Sequence, residues 1–188
     1  MNNPLRAAIQ RHFEAARLLR MAGPVSGGRA LELGCGRGVG TELILDLFEA
    51  ERVDAFDLDA RMVVLARKRL RPRGSRAQTW VADATAIPVA AGTYDAVFDF
   101  GILHHVPDWR RALREVRRVL KPGGRFYAEE ALAPLIDHAV MKKLFEHPRA
   151  DRFDVAAFQA GMSEAGLVPQ QTRRLGGVFA WFTATRSA

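Results

Sequence analysis

Apolar and polar residues follow two different periods along this chain. Short apolar runs occur at 29–33, 52–58, 77–82 and 94–100. All of them except 77–82 are followed by a segment whose apolar residues recur three or four positions apart. Such a run, bounded by turn residues, is typical of a buried strand, whereas the longer period is typical of a helix that packs one face on a sheet. Strands that alternate with helices predict an α/β fold with a mostly parallel sheet covered on both faces.

Helices are predicted between these strands and near both ends of the chain. Their apolar stripes, and the glycine or proline residues that follow several of them, place them at 5–21, 41–49, 60–70, 109–120 and 153–165. A turn over 121–124 then leads into a fifth strand at 125–129. The last two strands, 167–175 and 178–185, flank Gly176-Gly177, which predicts an antiparallel hairpin.

The first strand runs directly into glycines at every second position, in the stretch Glu32-Leu-Gly-Cys-Gly-Arg-Gly38. Glycine weakens regular elements, so three glycines at a strand end indicate positive φ values or a close approach of a ligand to the backbone. The dinucleotide pattern G-x-G-x-x-G would require glycine in place of Val39 or Thr41. The spacing therefore excludes an NAD-type loop.

The same stretch resembles the first motif of class I S-adenosylmethionine-dependent methyltransferases, an acidic residue followed by G-x-G-x-G. Further motifs of that family follow in order, at Val53-Asp-Ala-Phe-Asp-Leu-Asp59, Ala82-Asp-Ala84, Tyr94–Phe100, His104-His-Val-Pro-Asp108 and Leu120–Arg125. The resemblance implies a Rossmann-like, doubly wound, seven-stranded sheet that ends in the antiparallel hairpin. It also implies one domain over 1–188, with a helical cap at 1–28, a cofactor-binding core at 29–130 and an acceptor-side segment at 131–188.

S-adenosylmethionine is the cofactor that the resemblance implies. The residues expected to contact it are Glu32, Gly34, Gly36, Gly38, Asp57, Leu58, Asp83, Ala84 and Phe100. In the family the acidic residue at the tip of the second strand, here Asp57, holds both ribose hydroxyls, and Asp83 meets the adenine amino group. Glu32 is expected near the methionine amine, because a carboxylate inside a strand needs a partner. The alternatives are an exposed turn aspartate for Asp57 and a loop cap for Asp83.

Methyl transfer is an in-line displacement, so alignment of the reactants supplies much of the acceleration and a base is optional. His104 and His105 follow the fourth strand at the carboxyl edge, where open α/β sheets bind ligands, and either is a candidate base. Glu129 and Glu130 end the fifth strand, and alternation sends only one of them toward the pocket, where either could bind a cationic or hydroxylated acceptor; Glu129 is counted among the candidate catalytic residues. In the alternative interpretation the histidines shape the loop or pack. No metal site is expected.

The distribution of charged residues along the chain bears on whether the acceptor is a nucleic acid. The net charge is +7, and the excess lies in two basic clusters, 61–76 and 110–125. These follow the second and fourth strands, whose helices cover opposite faces of such a sheet, so the clusters should not merge. Nucleic acid is therefore not the expected partner. A single cysteine excludes a disulfide framework, and the lack of a signal sequence or membrane span predicts a cytoplasmic protein.

The sequence thus predicts an S-adenosylmethionine-dependent methyltransferase that acts on a small molecule. Two alternatives stay open. The arginine clusters could steer methylation of RNA or protein, or the fold could bind S-adenosylmethionine without catalysis. Neither the acceptor nor the oligomeric state follows from the sequence.

Overall fold

A seven-stranded sheet organises the protein. The computed structural model describes residues 14–132 and 152–187. The strands are β1 Arg29–Leu33, β2 Arg52–Asp57, β3 Ala77–Val81, β4 Tyr94–Phe100, β5 Leu120–Ala131, β6 Leu167–Leu175 and β7 Phe179–Arg186. Their order is β3-β2-β1-β4-β5-β7-β6. Strands β1 to β5 pair in parallel and β7 runs antiparallel to both neighbours, which confirms the predicted fold class and hairpin.

Helices cover both faces of this sheet. They are α1 Ala16–Ala22, α2 Val39–Asp46, α3 Ala60–Leu70, α4 Trp109–Val119 and α5 Val155–Glu164, and short 3₁₀ helices lie at Arg71–Arg76 and Leu103–His105. The predicted helix over 5–21 begins outside the described residues. None of the helices within 14–132 and 152–187 combines the length and the apolar character needed to cross a bilayer.

Two buried clusters fix which helix lies on which face. On one side, Trp109 of α4 and Phe158 of α5 pack with apolar side chains of the central strands, among them Val97 and Phe126. On the other side, Phe48 packs edge-on against Phe98 and Tyr127, which belong to neighbouring strands. Helices α1 and α2 contribute to this second cluster, and α3 packs on Ala55 of the same face. The helices that carry the two basic clusters therefore lie on opposite faces.

The structure corrects the predicted bounds of β5 and α2. Strand β5 begins at Leu120 instead of 125, because Leu120 pairs with Tyr94 and Arg125 pairs with Ala96, so that 121–124 loop out as a bulge. Helix α2 spans Val39–Asp46 instead of 41–49. It starts directly after Gly38, whose φ of +85° is not helical, and it ends before Glu49, whose φ of +57° breaks the turn.

Candidate active site

The glycine loop after β1 adopts backbone conformations that favour glycine at all three positions. The φ angles of Gly34, Gly36 and Gly38 are +63°, +50° and +85°. Two of these glycines are also packed: a Cβ on Gly34 would lie 2.4 Å from Cγ2 of Ile102, and one on Gly38 would lie 3.1 Å from Cγ of Leu70. No atom lies within 4 Å of the corresponding point at Gly36. The middle glycine is therefore the one whose Cα faces open space.

Asp57 lies at the tip of β2 and organises this loop. Its Oδ2 accepts a hydrogen bond of 2.9 Å from the backbone N–H of Gly36, and its Oδ1 accepts one of 2.9 Å from the N–H of Asp59. A carboxylate has about four acceptor positions, so both oxygens keep capacity for further donors. The next side chain, Leu58, is 73% exposed, an unusual state for a leucine. Asp59 caps α3, as its side chain accepts from the N–H of Arg61.

Glu32 lies beneath the start of α2. Its carboxylate is buried and accepts a hydrogen bond from the hydroxyl of Thr41. Burial raises the pKa of Glu32 to about 8, and the nearby charge of Asp57 adds to the rise, while the bond from Thr41 opposes it. A Cβ on Gly40 would lie 1.9 Å from Oε1 of Glu32 and 2.8 Å from Cδ2 of Phe100. Sequence reasoning missed Gly40, because nothing in the chain shows that a glutamate from another element packs on it.

The loop after β3 lies beside Asp57, since the N–H of Ala82 donates to the Asp57 carbonyl. Asp83 is exposed, and its Oδ1 accepts hydrogen bonds from the N–H and the hydroxyl of Thr85, at 2.8 and 2.9 Å. It therefore caps its own loop, and an adenine contact would use its remaining acceptor capacity. Ala84 is buried in the core. Phe100 stacks on Phe98, with the ring centroids 5.9 Å apart.

The histidines follow β4 in a 3₁₀ turn, Leu103–His105. The two rings lie 4.1 Å apart, centroid to centroid. His105 is exposed, whereas the side chain of His104 is 10% exposed and its Nδ1 lies 2.5 Å from Oε2 of Glu130. Burial lowers the pKa of His104 to about 4. The two histidines thus occupy different environments, which the doubled motif in the sequence does not distinguish.

A buried pair of carboxyl groups supports this turn. Oε1 of Glu130 accepts from the N–H of Leu103 at 2.7 Å, and Oδ1 of Asp99 accepts from the N–H of Ile102 at 2.9 Å. Both acids are fully buried, and burial raises the pKa of Asp99 well above its ordinary value, with Glu130 adding to the rise. Burial also raises the pKa of Glu130 to about 7. Asp99 was not among the predicted site residues, and its sequence signal was a carboxylate inside an apolar strand.

Glu129 points to the opposite face of β5 from Glu130, as strand alternation requires. It is 3% exposed, and its Oε2 accepts a hydrogen bond of 3.1 Å from Nε1 of Trp181. The guanidinium of Arg17, from α1, lies 4.4 Å from the centroid of the Trp181 ring. Glu129 therefore belongs to the side of the sheet that α1 covers, and Glu130 belongs to the side of the histidine turn.

The glycine loop, Asp57, the histidine turn and the two glutamates of β5 all lie at the carboxyl edge of β1, β2, β4 and β5. A family model described as "Methyltransferase domain" matches residues 31–128, just over half of the chain and nearly all of this edge. The chain belongs to this methyltransferase family. The resemblance drawn from the sequence motifs is thereby confirmed, and S-adenosylmethionine is the methyl donor of the family.

Relatives of this methyltransferase include enzymes named for quinone substrates. The demethylmenaquinone methyltransferase of Lactococcus lactis is 29% identical over 133 residues, 70% of this chain and 52% of that protein. The enzyme of the same name from Lactiplantibacillus plantarum is 30% identical over 150 residues, 78% of this chain and 62% of that protein. The chain spans about half the length of the curated relatives it matches.

The fold is shared with solved structures. One is a chain of the complex between the Haloferax volcanii Trm112 methyltransferase activator and a methyltransferase, with a TM-score of 0.81. The match covers 98% of this chain and 95% of that one at 18% identity, a likeness that shows the fold alone.

The residues at the carboxyl edge fit S-adenosylmethionine. Gly36 leaves open space where a side chain would stand, which suits a ligand that approaches the backbone. Asp57 has acceptor capacity for a ribose diol, and the exposed Leu58 offers an apolar surface beside it. Glu32 offers a carboxyl group that a cationic partner would favour as the carboxylate.

Proposed function

We propose that this methyltransferase transfers the methyl group of S-adenosylmethionine to a small organic acceptor at the carboxyl edge of the sheet. In this proposal Gly34, Gly36 and Gly38 admit the amino-acid part of the cofactor, and Asp57 accepts hydrogen bonds from the ribose. Leu58, Asp83 and Ala84 surround the adenine. Glu32, beneath the start of α2, faces the methionine amine. The ring of Phe100 forms the bottom of the cofactor site.

One contact carries the proposal. Ile102, in the turn that leads to the histidines, packs on Gly34 so closely that a Cβ on the glycine would lie 2.4 Å from Cγ2 of Ile102. The cofactor loop and the histidine turn therefore touch, and a ligand on the loop lies beside the turn. Such adjacency is what an in-line displacement requires, because the acceptor must approach the methyl group from the side away from sulfur.

The bound cofactor supplies a methyl group on a positively charged sulfur, which becomes a neutral thioether when the methyl leaves. The protein aligns the acceptor, excludes water and, for an acceptor that carries a proton, provides a base. In this proposal His104 or His105, in the turn after β4, is the candidate for that base, and Glu129, at the same edge on the α1 side, is a further candidate. The buried aromatic residues of β4 and β5 keep the surroundings of the site dry.

The arginine clusters support a small acceptor over RNA, because many of their side chains are already engaged within the protein. Arg73 and Arg69 pair with Asp46 and Glu42, on the neighbouring α2. In the second cluster, Arg118 binds Glu115 and two backbone carbonyls, and Arg125 binds the carbonyls of Ala22 and Pro24. Guanidinium groups committed in this way are poor ligands for phosphates.

The test is a transfer assay with S-adenosylmethionine labelled on the methyl carbon. The purified protein is given a small-metabolite extract, total RNA or a protein extract in separate reactions, and a demethylmenaquinone analogue serves as a defined acceptor, since two relatives are named for that substrate. We expect label in the metabolite reaction, with a rate that high salt leaves unchanged.

Two other results would overturn the proposal. Label only in RNA or protein, with a steep loss at high salt, would indicate a macromolecular acceptor. Calorimetric binding of S-adenosylmethionine without S-adenosylhomocysteine formation in any reaction would indicate a non-catalytic binder.

A further inference from the structure

Apolar side chains are exposed on the outer side of α3 and at the end of β3. Val64 of α3 is 64% exposed, Val81, the last residue of β3, is 51% exposed, and Leu65 is also exposed. The helix buries a different set of apolar residues against the sheet, so these three side chains are not needed for its packing. Exposed aliphatic side chains that lie together mark a surface that meets another molecule, whereas scattered ones do not.

One contact shows that the exposed side chains lie together. Nη2 of Arg67 donates to the carbonyl of Thr79 at 2.7 Å, which aligns α3 over β3. Val64 lies one helical turn before Arg67, and Val81 lies two residues after Thr79 on the same face of the strand. Because α3 connects the end of β2 to the start of the parallel strand β3, it runs opposite to β3, and both steps lead toward the carboxyl edge. Val64 and Val81 are therefore neighbours, and Leu65 extends the apolar surface along the helix.

Cations border this apolar surface. Lys68 and Arg71 follow Val64 by four and seven residues, on the same side of the helix, and both are exposed. Neither pairs with a carboxylate within 14–132 and 152–187. Arg67 donates to the hydroxyl and the carbonyl of Thr79, two neutral groups that leave its positive charge in place. Three positive charges thus lie beside the exposed aliphatic side chains.

The acids of the neighbouring helix do not neutralise these charges. Glu42 and Asp46 of α2 pair with Arg69 and Arg73, on the side of α3 that faces α2. The stretch 61–76 contains seven basic residues and no acid of its own. The outer side of α3 therefore combines positive charge with exposed aliphatic surface.

We propose that the α3 face, formed by Val64, Leu65, Lys68, Arg71 and Val81, binds the surface of a bilayer that contains anionic lipids. The aliphatic side chains enter the boundary between headgroups and acyl chains, and the cations meet the lipid phosphates. A few aliphatic side chains or a few cations alone bind a bilayer weakly, so both features are needed.

The same chemistry disfavours two other partners. A second copy of this chain, paired through the same face, would bring its cations against those of the first copy. RNA would bind the cations but would leave the aliphatic side chains in water, and none of the five residues of the α3 face is an aromatic on which a base could stack. A bilayer with anionic headgroups satisfies the charged and the apolar parts together.

Binding through the α3 face places the cofactor edge at the bilayer surface. Val81 pairs in register with Asp57, so this face ends beside the candidate S-adenosylmethionine site. Membrane binding by these residues is nevertheless independent of methyl transfer, and it is measured without cofactor or acceptor.

The test is flotation of the full chain with lipid vesicles in a low-salt buffer. One set of vesicles contains phosphatidylcholine alone, and the other contains equimolar phosphatidylcholine and phosphatidylglycerol. We expect the protein to float with the mixed vesicles and to bind phosphatidylcholine alone at least about tenfold more weakly, because only the mixed surface attracts the cations.

Two double variants separate the charged and the apolar contributions. Lys68→Gln with Arg71→Gln should weaken binding to the mixed vesicles at least about tenfold, since each cation near an anionic surface contributes about fivefold. Val64→Ser with Leu65→Ser should weaken it at least about fivefold, because the apolar contact with the acyl chains is lost. Circular dichroism verifies that each variant is folded.

Strand β6, at the opposite edge of the sheet from β3, offers matched controls. Arg173→Gln with Arg174→Gln removes the same two positive charges, and Val168→Ser with Leu175→Ser makes the same kind of apolar change. All four of these side chains are exposed. Both control variants should bind the mixed vesicles as the wild type does.

Four results would overturn the proposal. The first is a wild-type protein that does not float with the mixed vesicles, a result that requires no variant to fold. The second is full binding by the serine variant of α3 when the glutamine variant has lost it, which indicates attraction to any polyanion, RNA included. The third is an equal loss in the β6 controls. The fourth is a dimer in analytical ultracentrifugation that the serine variant of α3 abolishes, which shows that a second copy covers the face. A protein that floats but transfers no methyl group would overturn the proposed function alone.

Discussion

Gly40 and Glu32 are in such close contact that a single methyl group on the glycine would lie 1.9 Å from a carboxylate oxygen of Glu32. The contact joins the second residue of α2 to β1, and it fixes the carboxyl group beside the glycine loop. We expect Gly40→Ala to destabilise the protein by about 1–3 kcal/mol, because the buried Glu32 and Phe100 have little room to move. Denaturant unfolding measures this. The control is Gly177→Ala, with no atom within 4 Å of the added Cβ, and equal losses in both would contradict the prediction.

A comparison of Gly36 with Gly92 separates a glycine that the ligand needs from one that only the fold needs. The φ of Gly36 is +50° and an added Cβ would meet nothing within 4 Å. Gly92, before β4 and so at the opposite edge of the sheet, has a φ of +66° and the same open surroundings. We expect each alanine variant to lose about 1–2 kcal/mol of stability from the positive φ. Only Gly36→Ala should also weaken S-adenosylmethionine binding in calorimetry, by at least about tenfold; similar affinities would show that the loop does not approach the cofactor.

Asp57→Ala removes the carboxylate that accepts from Gly36 and is proposed to bind the ribose. The loss of one charge-assisted pair of bonds predicts an affinity for S-adenosylmethionine lower by about 2–3 kcal/mol, measured by calorimetry. Asp59→Ala is the comparison, because Asp59 lies two residues away but caps α3. Loss of this cap should lower the stability of the protein with the affinity for S-adenosylmethionine retained. An unchanged affinity in Asp57→Ala would mean that another carboxylate binds the ribose.

Glu32 makes the stability of the protein depend on pH. Its pKa is about 8 in the folded protein and ordinarily 4.5, so the folded state binds a proton that the unfolded state has released in between. Stability from this group is therefore complete below the lower value and falls as pH rises toward the upper one. Glu32→Gln mimics the protonated acid, so denaturant unfolding should show a gain over wild type near pH 8 and none near pH 4. Parallel pH profiles would contradict this. The variant should also bind S-adenosylmethionine more weakly, if the amine meets the carboxylate.

The elements that local chemistry defines could be predicted closely. Helix α3 begins and ends where predicted, because Asp59 caps its start and Pro72 follows its end. The hairpin follows from Gly176-Gly177 between two β-rich runs. A simple turn before β5 was predicted over 121–124, whereas these residues form a bulge within β5. The bulge depends on pairing with β4, and pairing between residues far apart in the chain leaves no local signal.

The sequence by itself determined the fold class, the family and the cofactor edge, because strand and helix periods, the glycine spacing and an aspartate at a strand tip are properties of short segments. Only the tertiary structure decided where the neighbouring acids and histidines lie. Glu129 and Glu130 are neighbours in the chain but lie on opposite faces of β5, and of the two adjacent histidines His104 is the buried one, with its ring against Glu130, while His105 is exposed. Which polar atoms share a buried space depends on contacts between strands that the linear order of residues does not specify.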